Sequence, residues 1–281
     1  MICPSAPADA AAVAEHYDDL DELYRAIWGE HVHHGLWREG RETPEEAVLR
    51  LVALAAERAR IAARSRVCDV GCGYGATARH LAREIGADVV GVTLSSAQRA
   101  RAIAAARPDD RVRVLLGDWL TNQLPAAEFD AALAIESTEH MADKARCFAE
   151  IRRVLRPGGR LVVAAWLAAE RPRGWHVRRL LEPICREGRL PALGSESDYR
   201  ALLDQARLTV VAFEDLTARV ARTWTICARR AVGRLLTDPR ARAYVLGGRG
   251  RNRVFLKTLF RIRVAYAVGA MRYGMFVASA R

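Results

Sequence analysis

Lysine is nearly absent from this chain. Lys144 and Lys257 are the only two among 44 basic side chains, so arginine carries the net charge of +11. The arginines are spread along the chain, with no dense basic tail and no interleaved aromatic platform. That distribution argues against a nucleic-acid partner and for a solvated basic face, while leaving room for an acidic small substrate. Long apolar runs are missing too. None approaches the roughly 20 residues of a membrane span. The N-terminus has no basic segment followed by an apolar one, so no secretory signal is expected. These absences predict a soluble, cytoplasmic protein without stable membrane insertion. The six cysteines form no C-x-x-C and no Cys/His pair at zinc spacing, so reduced apolar fillers are expected and no metal.

What is present is a chain of 281 residues, 51% apolar, enough for one large domain with a sizeable core. Apolar residues from Val13 to Ile27 recur at three- and four-residue spacing, which predicts a helix. "WGEHVHHGLWREG" (28–40) is too rich in His, Gly and aromatics to continue it. Thr43 before Pro44, Glu45 and Glu46 is a helix start, and that helix should run to about Ala63. From residue 66 strands and helices alternate. "RVCDV", "DVVGVTL", "RVRVLLGDW", "FDAALAIES" and "RLVVAAWL" read as strands, separated by helical patterns of 10–15 residues. That rhythm means βαβ units in a doubly wound, mostly parallel sheet, with ligands outside the carboxyl ends of the strands. "TVVAFEDLT" and "YGMFVASAR" read as two further strands, for seven in all. The expected layout is an N-terminal helical segment over 1–60, a binding core over 61–170, and a C-terminal half over 171–281. A helical insertion at about 217–265 precedes the last strand. Both helical segments are expected to act as lids on one structural domain.

"CDVGCGYG" (68–75) places Gly71, Gly73 and Gly75 at the first strand-to-helix junction. Each glycine inside a regular element costs about 1 kcal/mol relative to alanine, so the backbone must turn sharply there or approach a ligand. A P-loop is excluded, because Ala76-Thr77 stands where Gly-Lys-Ser/Thr would be needed. The spacing G-x-G-x-G is also not the G-x-G-x-x-G of a dinucleotide fingerprint. "VCDVGCGYGATARHLA" resembles the first motif of class I S-adenosylmethionine methyltransferases. "GVTLSSAQ", "AIESTEHM" and "LRPGGRLVVAAW" resemble later motifs of one branch, the tocopherol C-methyltransferase-like and cyclopropane fatty-acid synthase-like enzymes. "HYDDLDELYRAIWGEHVHHGLW" and "YAVGAMRYGMFVASAR" resemble the two ends of the tocopherol-like proteins, so the resemblance covers nearly the whole chain.

The resemblance implies a Rossmann-like methyltransferase fold, S-adenosylmethionine as cofactor, S-adenosylhomocysteine as product and no metal. Gly71 and Gly73 would approach the amino-acid end of the cofactor, with Asp69 supporting the turn or the ammonium and Cys72 beside them. Thr93 and Gln98, flanking Leu94, take the place where an acidic residue would hold the ribose. Asp118 would accept from the adenine amine, with Gly117 and Trp119 near the ring and the Ile135 backbone close by. Glu136, Glu139 and His140 are the candidate catalytic residues, Glu139 and His140 as the base that a carbon nucleophile requires. In cyclopropane synthases the matching Glu-His pair helps hold a bicarbonate; the surrounding sequence fits the tocopherol-like group instead. Tyr17, Trp28, His31, His34 and Trp175 are candidate substrate contacts. Trp224 fits the same role or a core position. The reading is a small-molecule methyltransferase acting on carbon in a quinol, prenyl-type or secondary-metabolite substrate, hydrophobic or anionic. N- or O-transfer and transfer to a prenyl diphosphate held by arginines stay open as alternatives. A nucleic-acid methyltransferase and a non-catalytic cofactor-binding protein are the rivals from other classes.

Overall fold

A computed structural model of the chain describes residues 1–239, 242 and 251–281, and the side chains outside 251–256. Seven strands form one sheet: β1 (Arg66–Val70), β2 (Asp88–Thr93), β3 (Val112–Leu116), β4 (Phe129–Ile135), β5 (Leu155–Ala168), β6 (Leu208–Asp215) and β7 (Met271–Ala280), in the spatial order 3-2-1-4-5-7-6. The first five run parallel, and β7 inserts antiparallel between β5 and β6. The doubly wound sheet expected from the alternating pattern is therefore present. Its order reverses between β1 and β4, and that switch point is where the crevice opens.

The helices follow local signals. α1 (Ala10–Asp19) is capped by Asp9, whose carboxylate accepts from the Ala12 N–H. The single helix expected across residues 9–27 is broken at Leu20, and α2 (Asp21–Trp28) starts anew. α3 (Pro44–Arg58) has the full capping box, Thr43 and Glu46 each satisfying the other's backbone N–H. It stops five residues short of Ala63, because Arg60 takes a left-handed φ of 56°. α4 (Ala76–His80) follows the glycine turn and loosens into a π-turn over Leu81–Ile85. α5 (Ser96–Ala105) and α6 (Lys144–Val154) open on the side-chain caps Ser95 and Asp143.

The C-terminal half adds α7 (Gly174–His176), α8 (Glu182–Glu187), α9 (Glu196–Gln205), α10 (Thr217–Val220), α11 (Arg222–Thr237) and α12 (Arg251–Ala267). The insertion expected at about 217–265 thus holds α10, α11 and most of α12, and part of it lies outside the described residues. The sheet is packed on both faces. Leu51, Val52 and Leu133 anchor one core together with Ile27 and Trp224, and Phe129, Phe148 and Phe276 anchor the other. Among the described residues no helix is long and apolar enough to cross a membrane.

Candidate active site

Two hollows meet over the carboxyl ends of β1, β2 and β4. The first is a cleft of about 610 Å³ on the glycine turn, walled by Gly71, Gly73, Thr93, Leu94, Gln98, Gly117, Trp119 and Ile135. The second is a cavity of about 670 Å³ walled by Tyr17, Tyr24, Trp28, Trp166 and Trp224, with Glu139 and Glu187. Tyr17, Val32, Glu136 and His140 belong to both and form the passage between them.

The glycine turn has two separate reasons for its composition. Gly71 has φ +75°, and a Cβ there would stand 2.5 Å from the Ser137 Cβ. Ser137 in turn donates to the Val70 carbonyl at 2.5 Å. Gly71 is therefore demanded by the loop after β4 as well as by the turn. Gly73 has φ +53° and nothing nearer than the Gln98 Nε2 at 3.9 Å. Its missing side chain leaves room for a ligand in the cleft. Thr93 donates to the Gln98 Oε1 at 2.9 Å, so the Gln98 amide N–H groups remain to donate to ligand oxygens. Asp69 is buried beneath the turn with its Oδ2 unpartnered, and burial pushes its carboxyl up to about 7. The open Gly73 and the free Gln98 amide on the wall of the cleft, with the unpartnered Asp69 carboxylate beneath the turn, fit S-adenosylmethionine.

The other expected cofactor contacts stand at or beside the cleft. Cys72 packs against Gly91, where an added Cβ would stand 2.7 Å from its Sγ, and it does not wall the cleft. Asp118 caps its own turn by accepting from the Leu120 N–H at 2.9 Å. Trp119 walls the cleft while 2% exposed, with its Nε1 donating to the Cys147 carbonyl.

The three residues expected to be catalytic are brought together at the passage, and their environments push them apart. Glu136 ends β4 with φ +52°, a left-handed backbone that a non-glycine residue takes at a cost of roughly 1–2 kcal/mol. Its Oε1 accepts from the His34 N–H (2.7 Å), His34 Nδ1 (2.8 Å) and the Tyr273 hydroxyl (2.8 Å). Its Oε2 accepts from Trp166 Nε1 at 2.8 Å. Burial alone would raise the carboxyl, but His34 and His33 outweigh it and hold it down at about 2. Such a carboxylate is an electrostatic anchor and a poor base.

Glu139 is the opposite case. It is 2% exposed, and burial with help from Glu136 raises it to about 7, against the opposing pull of the Trp166 N–H and Lys144. Oε1 accepts from that N–H at 2.5 Å, and Oε2 holds only a 3.2 Å bond from Thr138. Lys144 is buried and donates to the carbonyls of Glu139 (3.2 Å) and Met141 (3.1 Å), which pins the turn. His140 is pulled down to about 4, chiefly by burial. Its Nδ1 faces the Arg189 carbonyl at 3.4 Å, which fixes the proton there, so Nε2 accepts from the Tyr17 hydroxyl at 2.9 Å.

The expected substrate contacts divide. Tyr17 and Trp28 wall the cavity. His34 lies beneath Glu136 as its donor and walls neither hollow. His31 is bonded to His33 at 3.2 Å and also walls neither, and burial drives it down to about 2. Trp175 is 42% exposed, three residues after a Pro, and points to solvent rather than into the cavity. Among the described residues no group of His, Cys, Asp and Glu is placed to hold a metal. Tyr24, Trp166, Glu187 and Tyr273 escaped the sequence reading. Tyr24 alone carried a signal, seven residues from Tyr17 on the same helical face.

The N-terminal segment is tied over the cleft by acidic residues. Asp18 accepts from Ser95 Oγ, from Ser96 Oγ (3.0 Å) and from the Ala97 N–H (3.1 Å), at the start of α5. Asp21 pairs with Arg101 and accepts from the Tyr74 hydroxyl at 2.8 Å; Glu30 pairs with the buried Arg79 at 2.8 Å.

This fold and paired site define an S-adenosylmethionine-dependent methyltransferase. The family model described as mycolic acid cyclopropane synthetase matches residues 5–234, and the chain belongs to that family. It is 32% identical to the chloroplastic tocopherol O-methyltransferase of Arabidopsis thaliana over 241 residues, covering 78% of this chain and 69% of the relative. It is 34% identical to the 27-O-demethylrifamycin SV methyltransferase of Amycolatopsis mediterranei over 225 residues, covering 79% and 82%. Among solved structures, the [4+2]-cyclase SpnF superposes with a TM-score of 0.82 at 26% identity, covering 99% of this chain and 98% of that one. The mycolic acid cyclopropane synthase CmaA1, solved with S-adenosylhomocysteine, gives 0.83 at 22% identity, covering 98% and 99%.

Proposed function

We propose that the protein methylates a flat, largely apolar small molecule seated in the aromatic cavity, with Glu139 as the base. The observation that carries this is the passage itself. Tyr17, Val32, Glu136 and His140 wall both hollows, while Glu139 walls only the cavity. Bound in the cleft against Gly73 and Gln98, S-adenosylmethionine would supply an electrophilic methyl group on a sulfonium.

Alignment is the chain's main contribution, and orientation alone is worth roughly 7–11 kcal/mol. Gly73 and Gln98 set the depth of the cofactor, and the Tyr17 and Trp166 rings limit how the acceptor lies. The closed lid excludes water. The acceptor gives its proton to Glu139 Oε2, whose poise near 7 suits a base at neutral pH. His140 acts on Tyr17, orienting the hydroxyl at the passage. Glu136 stays ionised at the passage, where its negative charge would stabilise positive charge developing on the acceptor.

Carbon is the acceptor in the first reading, at an electron-rich ring position whose proton Glu139 then removes. A hydroxyl oxygen is the second, favoured because the two relatives at 32% and 34% identity are named as O-methyltransferases or act at an O-demethyl site. The test is turnover with methyl-labelled S-adenosylmethionine over a panel of quinols, phenols, indoles and prenyl compounds, followed by locating the label. Labelled product with the wild type and none with Glu139→Gln supports the reading. Full turnover by Glu139→Gln removes Glu139 as the base.

A further inference from the structure

The chain carries 44 lysine and arginine side chains, and among the described residues none walls the aromatic cavity. The carboxylates there are Glu136, Glu139 and Glu187. The first two serve methyl transfer. Glu187 does not: it ends α8, faces α12 and stands apart from the nucleoside cleft. Its Oε2 accepts from the Thr258 hydroxyl at 2.6 Å and from Arg261, which leaves Oε1 to accept from a ligand.

On the wall that Glu187 shares, an unbroken series of rings runs from Tyr17 at the passage. Centroids are 5.2 Å apart for Tyr17–Tyr24, 5.5 Å for Tyr24–Trp28, 5.8 Å for Trp28–Trp224 and 5.3 Å for Trp224–Trp166. Aromatic faces attract cations and repel anions. An anion buried here would meet Glu136, Glu139 and Glu187, and among the described residues no lysine or arginine stands on the wall; Arg261 pairs with Glu187 from off the wall. The cofactor's own positive charge does not account for this wall. Its sulfonium needs the passage, where Tyr17 and Glu136 stand, and Tyr24, Trp28 and Glu187 lie outside the cleft.

We propose that the cavity selects a substrate bearing a protonated amine, held among Tyr24, Trp28 and Trp224 with Glu187 as counter-ion. It rejects diphosphates and carboxylates of the same shape. This rests on the methyltransferase reading for the cavity being the substrate's seat, and it goes against an anionic substrate clamped by arginines.

The test is calorimetric titration of the full chain, saturated with S-adenosylhomocysteine, with three indoles of similar size. Tryptamine is cationic, tryptophol neutral and indole-3-propionate anionic. Tryptamine is expected to bind roughly tenfold tighter than tryptophol, with indole-3-propionate weakest. Glu187→Gln should bring tryptamine to the level of tryptophol and leave the Kd for S-adenosylhomocysteine where it was. Trp28→Leu should weaken tryptamine more than tryptophol. Indole-3-propionate binding as tightly as tryptamine, no binding of tryptamine, or an unchanged preference in both variants overturns the proposal. Failure of the wild type to bind S-adenosylhomocysteine overturns the methyltransferase reading instead, and the order of the three indoles still decides this one.

Discussion

The two halves of the site are built in different ways. The cofactor cleft is made by one stretch of chain, residues 71–141 apart from the N-terminal residues Val13, Tyr17 and Val32, and largely by turns after β1, β2, β3 and β4. The aromatic cavity is made by residues from His16 to Ile262, on helices, a strand and loops that meet only in the folded state. Backbone geometry fixes the first half and side-chain identity the second. A protein built this way can change its substrate without disturbing its cofactor.

The largest expected effect falls on the chemistry between the halves. Glu139→Gln should lower kcat by about 10²–10⁴-fold and leave the Kd for S-adenosylhomocysteine unchanged, read by steady-state kinetics beside calorimetry. A parallel loss in both would mean that Glu139 belongs to the cofactor half. Next, Gly73→Val should weaken S-adenosylhomocysteine binding roughly 100-fold by filling the cleft from a left-handed position. Native affinity would place the cofactor elsewhere.

Glu136→Gln tests whether one carboxylate joins the halves structurally. The amide oxygen can replace only one of two acceptor atoms, and its NH₂ faces a donor. A stability loss of about 1–3 kcal/mol in urea melts is the expected outcome. An unchanged midpoint would show that the His34, Trp166 and Tyr273 contacts carry no weight. The pH dependence is smaller. Glu139 must be a carboxylate to accept a proton, so kcat should rise about tenfold per pH unit below 7 and level above it. The stability sign is opposite. A carboxyl raised to about 7 stabilises the fold below the ordinary carboxylate range and loses that contribution as pH rises through 7. A kcat flat from pH 5 to 8 would contradict the assignment of the base.

The same contrast explains what could be read from sequence. Gly71, Gly73, Thr93 and Gln98 are local signals, a turn and a strand end, and local signals survive in one dimension. The sheet was legible for the same reason, since strand and helix periods repeat within each βαβ unit. Glu136 was seen as a site residue but not as an anchor, because its four donors come from β5, β7 and the loop before α3. Trp166 lies on a β5 run that reads as uniformly apolar. Glu187 sits in a helix with ordinary polar spacing. His31 and Trp175 carry the signal of a substrate contact yet wall neither hollow, because a histidine or tryptophan announces chemistry without announcing direction.

The three bonds that Asp18 accepts at the start of α5 bear on how often the enzyme can turn over. α1 carries Val13 and Tyr17 over the cofactor cleft, so every exchange of spent for fresh cofactor competes with those bonds. Where release of spent cofactor limits the cycle, the interval between turnovers is set by this contact rather than by the reacting atoms. Salt should shorten it, and Asp18→Asn should speed release of S-adenosylhomocysteine a few-fold in stopped-flow mixing without altering a single turnover.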